Sequence, residues 1–201
     1  MRLTTIHGKP NLHIKLLEYT DYDKLRVFCE ECKTLGFINN QSFEVMKVEK
    51  TVMPYGQYFI GLDNDKIFTV SGVHKFPEIN ENSWRCNFRG AQLPGYNIFS
   101  KNPFNSQIHF TYLMYHQIKF IQNINSNAEF YVTTNVTGGV DSHRMNSIFM
   151  PLVESMNIWE LAYADMEIYH TRQNVWRINV KEYLRQRADH FTKYGIQDEL
   201  F

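Results

Sequence analysis

The chain has 201 residues, of which 43% are hydrophobic, 15% aromatic and 21% charged, and this composition supports one sizeable core and excludes disorder as the main state. Lys and Arg total 21, as do Asp and Glu, so the formal net charge is zero. That balance disfavours a nucleic-acid coat or a polybasic membrane binder, and no apolar run is long enough to span a bilayer. We expect a single cytoplasmic domain over residues 1–201, without nucleic-acid or membrane partners.

The three cysteines, Cys29, Cys32 and Cys86, are too few for a disulfide framework and fit a reducing compartment. Cys29 and Cys32 form a C-x-x-C pair. Helical periodicity runs through both residues, and no second pair of cysteines or histidines completes a zinc site. We therefore expect core thiols on a helix and no metal.

The start of the chain predicts one strand followed by two helices. Residues 12–19 alternate as a strand does, and Thr20 with Asp23 predicts the N-terminal cap of a helix that ends at Gly36. A second helix is expected over about residues 42–53.

The middle of the chain predicts three strands joined by short connections. Residues 58–62 and 66–73 are strand-like runs, and Asp63-Asn64-Asp65 between them suits a tight hairpin turn. After a polar loop, residues 84–91 alternate between apolar and polar with period two. The apolar face of this strand carries Trp84, Cys86 and Phe88.

The second half of the chain predicts three helices and three strands. The helices are expected over residues 104–124, 142–156 and 181–194, and the strands over 129–136, 159–164 and 175–180. The first two helices each have one apolar stripe, so we expect them to lie against a sheet. The order of elements predicts an α+β fold.

This order of elements over residues 12–180 resembles that of the GNAT superfamily of N-acetyltransferases. The resemblance implies the acyl-CoA N-acyltransferase fold, with a mixed central sheet of about seven strands flanked by helices. It also implies transfer of an acetyl group from acetyl-CoA, a donor not held tightly, to an amine of a small molecule or protein. Three short segments resemble sequences of uncharacterised GNAT-like proteins of marine T4-like phages: residues 87–92, 131–135 and 171–176. This resemblance implies a phage protein that works in a bacterial cytoplasm.

The family's phosphate-binding signature, Gln/Arg-x-x-Gly-x-Gly/Ala, corresponds here to Gln92-Leu93-Pro94-Gly95-Tyr96-Asn97. Gln92 and Gly95 match, whereas Asn97 replaces a small residue and Pro94 removes an amide donor. This segment is therefore compatible with a loop that binds pyrophosphate and with a plain surface loop. Thr134 and Asn135 end the next strand, where an open sheet presents side chains to ligands. The cofactor-binding residues that the resemblance implies are Ala91, Gln92, Gly95, Asn97, Thr134 and Asn135.

Amine acetylation needs a base, donors that polarise the thioester carbonyl, and a proton for the departing thiolate. The family uses a backbone N–H from a bulge in the fourth strand; Gly90 permits such a bulge here or only relieves crowding. Arg89 on that strand and His74 at the end of the third are the catalytic candidates, with a structural ion pair and a hydrogen-bonded loop histidine as the alternatives. For the substrate candidates Arg144 and Arg172, the alternatives are a solvated first turn of a helix and a surface position, respectively.

The family's usual general acid is a tyrosine in the helix after the fifth strand, and its position falls on Val153, which cannot transfer a proton. The acid and the base therefore stay unassigned. A non-catalytic binding module with the same fold is the second functional hypothesis. In either case we expect a monomer or a homodimer.

Overall fold

A mixed nine-stranded sheet forms the centre of the computed structural model, which describes residues 2–5, 12–35, 42–51, 56–93, 112–136, 157–194 and 197–198. The strands are β1 Arg2–Thr5, β2 Leu12–Leu16, β3 Gly56–Asp63, β4 Lys66–Lys75, β5 Ser83–Gln92, β6 Glu129–Asn135, β7 Trp159–Ile168, β8 Thr171–Ile178 and β9 Gln197–Asp198. Their order across the sheet is β7-β8-β6-β5-β4-β3-β2-β1-β9. Neighbouring strands are antiparallel, except that β5 and β6 run parallel.

The helices that the structure describes are α1 Tyr22–Thr34, α2 Ser42–Thr51, α3 Met114–Ile124 and α4 Val180–Tyr194. β3 and β4 are buried on both faces because α1 and α2 pack on one side and α3 packs on the other. On the α3 side, Phe59 stacks on His116 at 6.5 Å between ring centroids, and Gln117 donates a 2.7 Å hydrogen bond to Ser71 Oγ. Phe191 joins α4 to the same layer by packing against Tyr115 of α3, with 4.9 Å between ring centroids.

The start of α1 differs from the prediction that Thr20 caps it. Thr20 lies inside a 3-10 turn, Tyr19–Asp21, and the Glu18 backbone N–H donates to the Asp21 carboxylate at 2.9 Å. The helix ends at Thr34, slightly before the predicted stop at Gly36. A carboxylate three residues after the cap satisfies the first amide here, in the manner of a capping box.

The predicted strands all occur, as β2 to β8, and the hairpin between β3 and β4 turns through Asn64 with φ of 53°. The sheet is wider than predicted because β1 and β9 add to one edge. The strands predicted over 159–164 and 175–180 leave residues 165–174 as a connection between them, and this is wrong, since most of these residues belong to the paired strands β7 and β8. Residues 104–111 and the predicted helix over 142–156 lie outside the described residues.

Cys29 and Cys32 lie on one buried side of α1, as predicted. Burial raises the pKa of Cys29 to about 12 and that of Cys32 to about 11, and it also raises the pKa of Cys86. These thiols are therefore protonated near neutral pH. Within the described ranges, no group of three or more His, Cys, Asp or Glu side chains is placed to hold a metal ion, and no helix is long and apolar enough to cross a membrane.

Candidate active site: a cleft between β5 and β6

β5 and β6 pair only where both strands begin. The pairs are Ser83 with Glu129, Trp84 with Phe130 and Arg85 with Tyr131. Beyond them, β5 stays paired with β4 as far as Gln92, while β6 pairs with β8 as far as Asn135. The two parallel strands therefore separate and leave a cleft that opens toward their C-terminal ends, the edge at which open sheets bind ligands.

The β5 wall of this cleft contains a bulge. Val70 pairs with Ala91 and Gly72 pairs with Phe88, so Arg89 and Gly90 together oppose the single residue Ser71. A second irregularity lies one step lower, where Asn87 has no counterpart between Gly72 and Val73 on β4. A residue in a bulge is left out of the regular ladder, so its N–H can point elsewhere. Of the two alternatives left open for Gly90, the register shows a bulge.

The structure places the predicted cofactor-binding residues of the two strands on the two walls of the cleft. Ala91 and Gln92 end β5, opposite Val70 and Thr69 of β4. On β6, Thr134 is buried and accepts a 2.9 Å hydrogen bond from Trp176 Nε1, whereas Asn135 is exposed at the strand end. Gly95 and Asn97 lie outside the described residues. The roles of all these residues in cofactor binding stay predictions.

The two predicted catalytic residues lie at different levels of the cleft. Arg89 belongs to the bulge, whereas His74 is buried and pairs with Arg85 at the closed end. His74 lies three positions along β4 from Ser71, which is about 10 Å along a strand. His74 as a base stays a prediction, and its position requires a relay to reach a group bound at the bulge.

Of the predicted substrate residues, Arg144 lies outside the described residues and Arg172 lies near the open end of the cleft. The Val136 N–H donates to the Arg172 carbonyl at 2.9 Å, which places Arg172 beside the end of β6. Arg172 Nε donates to Asp165 Oδ1 at 2.8 Å, and Nη2 donates to Oδ2. This forked pair lowers the pKa of Asp165 and raises that of Arg172. A substrate anion would have to compete with Asp165 for Arg172.

The closed end of the cleft is held by polar contacts that sequence reasoning missed. Glu129 at the start of β6 accepts hydrogen bonds from Asn80 at 2.9 Å and from Tyr131 at 3.0 Å. These bonds and the nearby Arg177 lower the pKa of Glu129. Burial, followed by the bond to Glu129, raises the pKa of Tyr131 to about 12, so this phenol stays a donor.

Arg85 was also missed. Its Nη2 donates to Thr133 Oγ1 on β6 and, at 3.1 Å, to Gln173 Oε1 on β8. The prediction placed Arg85 on the polar face of an alternating strand. A signal was available, because a central strand is covered on both faces and a guanidinium there must find partners.

The mixed sheet of this chain has the fold of the GNAT acetyltransferases, since solved structures of that class match it. The ribosomal-protein-S5-alanine acetyltransferase of Vibrio fischeri matches with a TM-score of 0.56 and 8% identity over 84% of this chain and 93% of its own. A GNAT-family acetyltransferase from Desulfovibrio desulfuricans matches with a TM-score of 0.55 and 10% identity over 84% and 99%.

A third structure, a spermidine N-acetyltransferase chimera from Vibrio cholerae and hSSAT, matches with a TM-score of 0.53 and 13% identity over 87% of this chain and 99% of its own. No family model and no curated protein matches the sequence. The predicted GNAT fold is confirmed. At these identities the likeness concerns the fold, and the activity has to be argued from the cleft.

Proposed function

We propose that this protein is an acyl-CoA-dependent N-acyltransferase that transfers an acetyl group from acetyl-CoA to an amine. The observation that carries the proposal is the cleft between β5 and β6 together with the bulge at Arg89 and Gly90 in its wall. Acetyl-CoA supplies a thioester whose carbonyl carbon an amine attacks. A slot between two strands suits the narrow pantetheine arm of this donor.

The bulge supplies the donor that acyl transfer needs. Arg89 and Gly90 oppose only Ser71, so one of their two backbone N–H groups is free of the regular pairing with β4. Pointed into the cleft, that N–H donates to the thioester carbonyl and stabilises the negative charge that develops on its oxygen. A backbone donor needs no side-chain reorganisation, since the strand already fixes it.

The open end of the cleft is where the phosphates of the donor are held. Gln92 ends β5 there, and the signature-like segment from Gln92 to Asn97 follows it. Because the chain carries no net charge, an anionic donor has to be bound by local amides and a few side chains. Two structural neighbours are named for acetylation of spermidine and of an alanine of ribosomal protein S5, which supports an amine as the acceptor. The cytoplasmic location, the phage origin and the oligomeric state stay predictions.

We expect acetyl-CoA-dependent release of free thiol in the presence of one class of amine. A panel of polyamines, amino acids, lysine side chains and peptide N-termini, followed with a thiol reagent, measures it. The buried, protonated Cys29, Cys32 and Cys86 give little background. The acceptor is the class of amine with which thiol release is faster than the hydrolysis of acetyl-CoA measured without an amine. If the protein binds acetyl-CoA but no amine in the panel causes release of the coenzyme A thiol, the result favours the non-catalytic module.

Gly95→Glu is expected to weaken acetyl-CoA binding by about tenfold or more, because it adds bulk and negative charge beside the pyrophosphate. Calorimetry measures the Kd. Ser126→Glu, an exposed change near the closed end, is the matched control because it adds the same charge away from the phosphates. Equal affinities for wild type and both variants would move the phosphate site away from residues 92–97.

A further inference from the structure

The parallel pair is the joint between two parts of the sheet. One part contains β5, β4, β3, β2, β1 and β9, and the other contains β6, β8 and β7. Between the described strands, the three residue pairs at the closed end connect the two parts within the sheet. The angle at this joint sets the width of the cleft above it.

Arg85 bridges the two parts of the sheet at the end of the joint that borders the cleft. It is the last residue of β5 that pairs with β6, and its guanidinium bonds Thr133, two residues further along β6, and Gln173 of β8. Asn80 and Asn82 bond Glu129 at the lower end of β6. Arg85 therefore reaches further into the diverging region than they do.

The acceptors of Arg85 are themselves fixed. Gln173 is buried, and its Nε2 donates to Thr171 Oγ1 at 2.6 Å, which donates in turn to the Ile168 carbonyl at 2.8 Å. Ile168 packs with Phe76, and Arg85 lies over the Phe76 ring at 5.8 Å. The contacts thus continue from the joint to the turn of the β7–β8 hairpin.

We propose that Arg85 is a positioning residue that fixes the angle between β5 and β6 and thereby holds the cleft at the width its ligand needs. One planar guanidinium bonds acceptors on two strands in fixed directions, which a lysine ammonium does not reproduce. The ligand part of this inference rests on the proposed function, whereas the mechanical part does not.

The test compares Arg85→Gln and Arg85→Lys with a matched control, Arg177→Gln. Arg177 is a β8 arginine at the level of Tyr131 that pairs with Glu129 at 3.1 Å but does not bridge β5 and β6. Two readouts are measured for each protein: the acetyl-CoA Kd by calorimetry, and amide hydrogen exchange of residues 132–135, with residues 59–61 in β3 as the internal reference.

In Arg85→Gln we expect the amides of residues 132–135 to exchange about tenfold faster relative to those of β3, and the acetyl-CoA Kd to rise about tenfold. Arg85→Lys should behave in the same direction, and Arg177→Gln should leave both readouts within about twofold of wild type. If Arg85→Gln does not fold, Thr133→Val removes one acceptor and should produce the same local change with a smaller amplitude.

Exchange that rises equally in β3 and β6 would mean that Arg85 only adds global stability, and it would overturn the inference. A wild-type Kd in Arg85→Gln, or in Arg85→Lys, would overturn it as well. Failure of the wild-type protein to bind acetyl-CoA would instead reject the proposed function, and the exchange comparison would still decide the role of Arg85 at the joint.

Discussion

Phe130→Ala is expected to lower the free energy of unfolding by roughly 3–5 kcal/mol, the usual cost of truncating a fully buried phenylalanine. Phe130 is 0% exposed and forms, with Trp84, the middle one of the three pairs between β5 and β6. Truncation therefore opens a cavity at the joint of the sheet, where few other contacts can compensate. Urea unfolding followed by circular dichroism measures the change.

Tyr163→Ala is the control for this loss. Tyr163 lies on the edge strand β7 and is 46% exposed, so its truncation should change the free energy of unfolding by only about 0.5 kcal/mol. A loss below about 1 kcal/mol for Phe130→Ala would contradict a packed joint at this point.

Deletion of Gly90 is expected to reduce the rate of acetyl transfer by about 10²–10³-fold, comparable to the loss of one donor from an oxyanion hole. The deletion leaves one residue opposite Ser71 where the wild type has Arg89 and Gly90. Regular pairing with β4 then recaptures the N–H that the bulge releases. The measurement is thiol release at saturating acetyl-CoA with the acceptor that the amine panel identifies.

Gly90→Ala is the matched control for the deletion because it preserves the number of residues and hence the two-against-one register. It should retain most of the activity. Should the deletion variant transfer acetyl groups at the wild-type rate, the bulge has no part in catalysis. A circular dichroism spectrum matching the wild type establishes that the deletion variant has folded.

The buried strands were predictable because periodicity reports burial. β3, β4 and β5 lie in the middle of the sheet, and their apolar runs and the Asp63-Asn64-Asp65 turn indicate a hairpin followed by a third strand. The order of these elements and the intervening helices was enough to predict the fold. The parallel pair follows from it, since a helical crossover separates β5 from β6.

The edges of the sheet were less predictable. β1 and β9 are short, and two to four residues show no measurable alternation. The far half of the β7–β8 hairpin was also missed because most of β7 is exposed, so polar residues such as Asp165 and Glu167 resemble a loop. Tyr169 and His170 turn the chain there with φ of 50° and 61°, which neither residue type signals strongly.

The positions of some candidate site residues were predictable, although their roles stay predictions. Strand order and the family pattern place Gln92, Thr134 and Asn135 at the ends of the two strands, whereas the bulge at Gly90 was one of two alternatives. Arg85 was missed because its place in the alternating pattern resembles that of an exposed polar residue. Alternation along β5 assigns Arg85 to a polar face, where side chains of the neighbouring strands β6 and β8 supply its acceptors.

Titration of the wild-type protein with acetyl-CoA in a calorimeter tests the central claim most directly. A cleft built for this donor predicts saturable binding of one molecule per chain with a Kd below about 1 mM. The absence of saturable heat at millimolar acetyl-CoA would contradict it and leave a GNAT fold that has lost its donor.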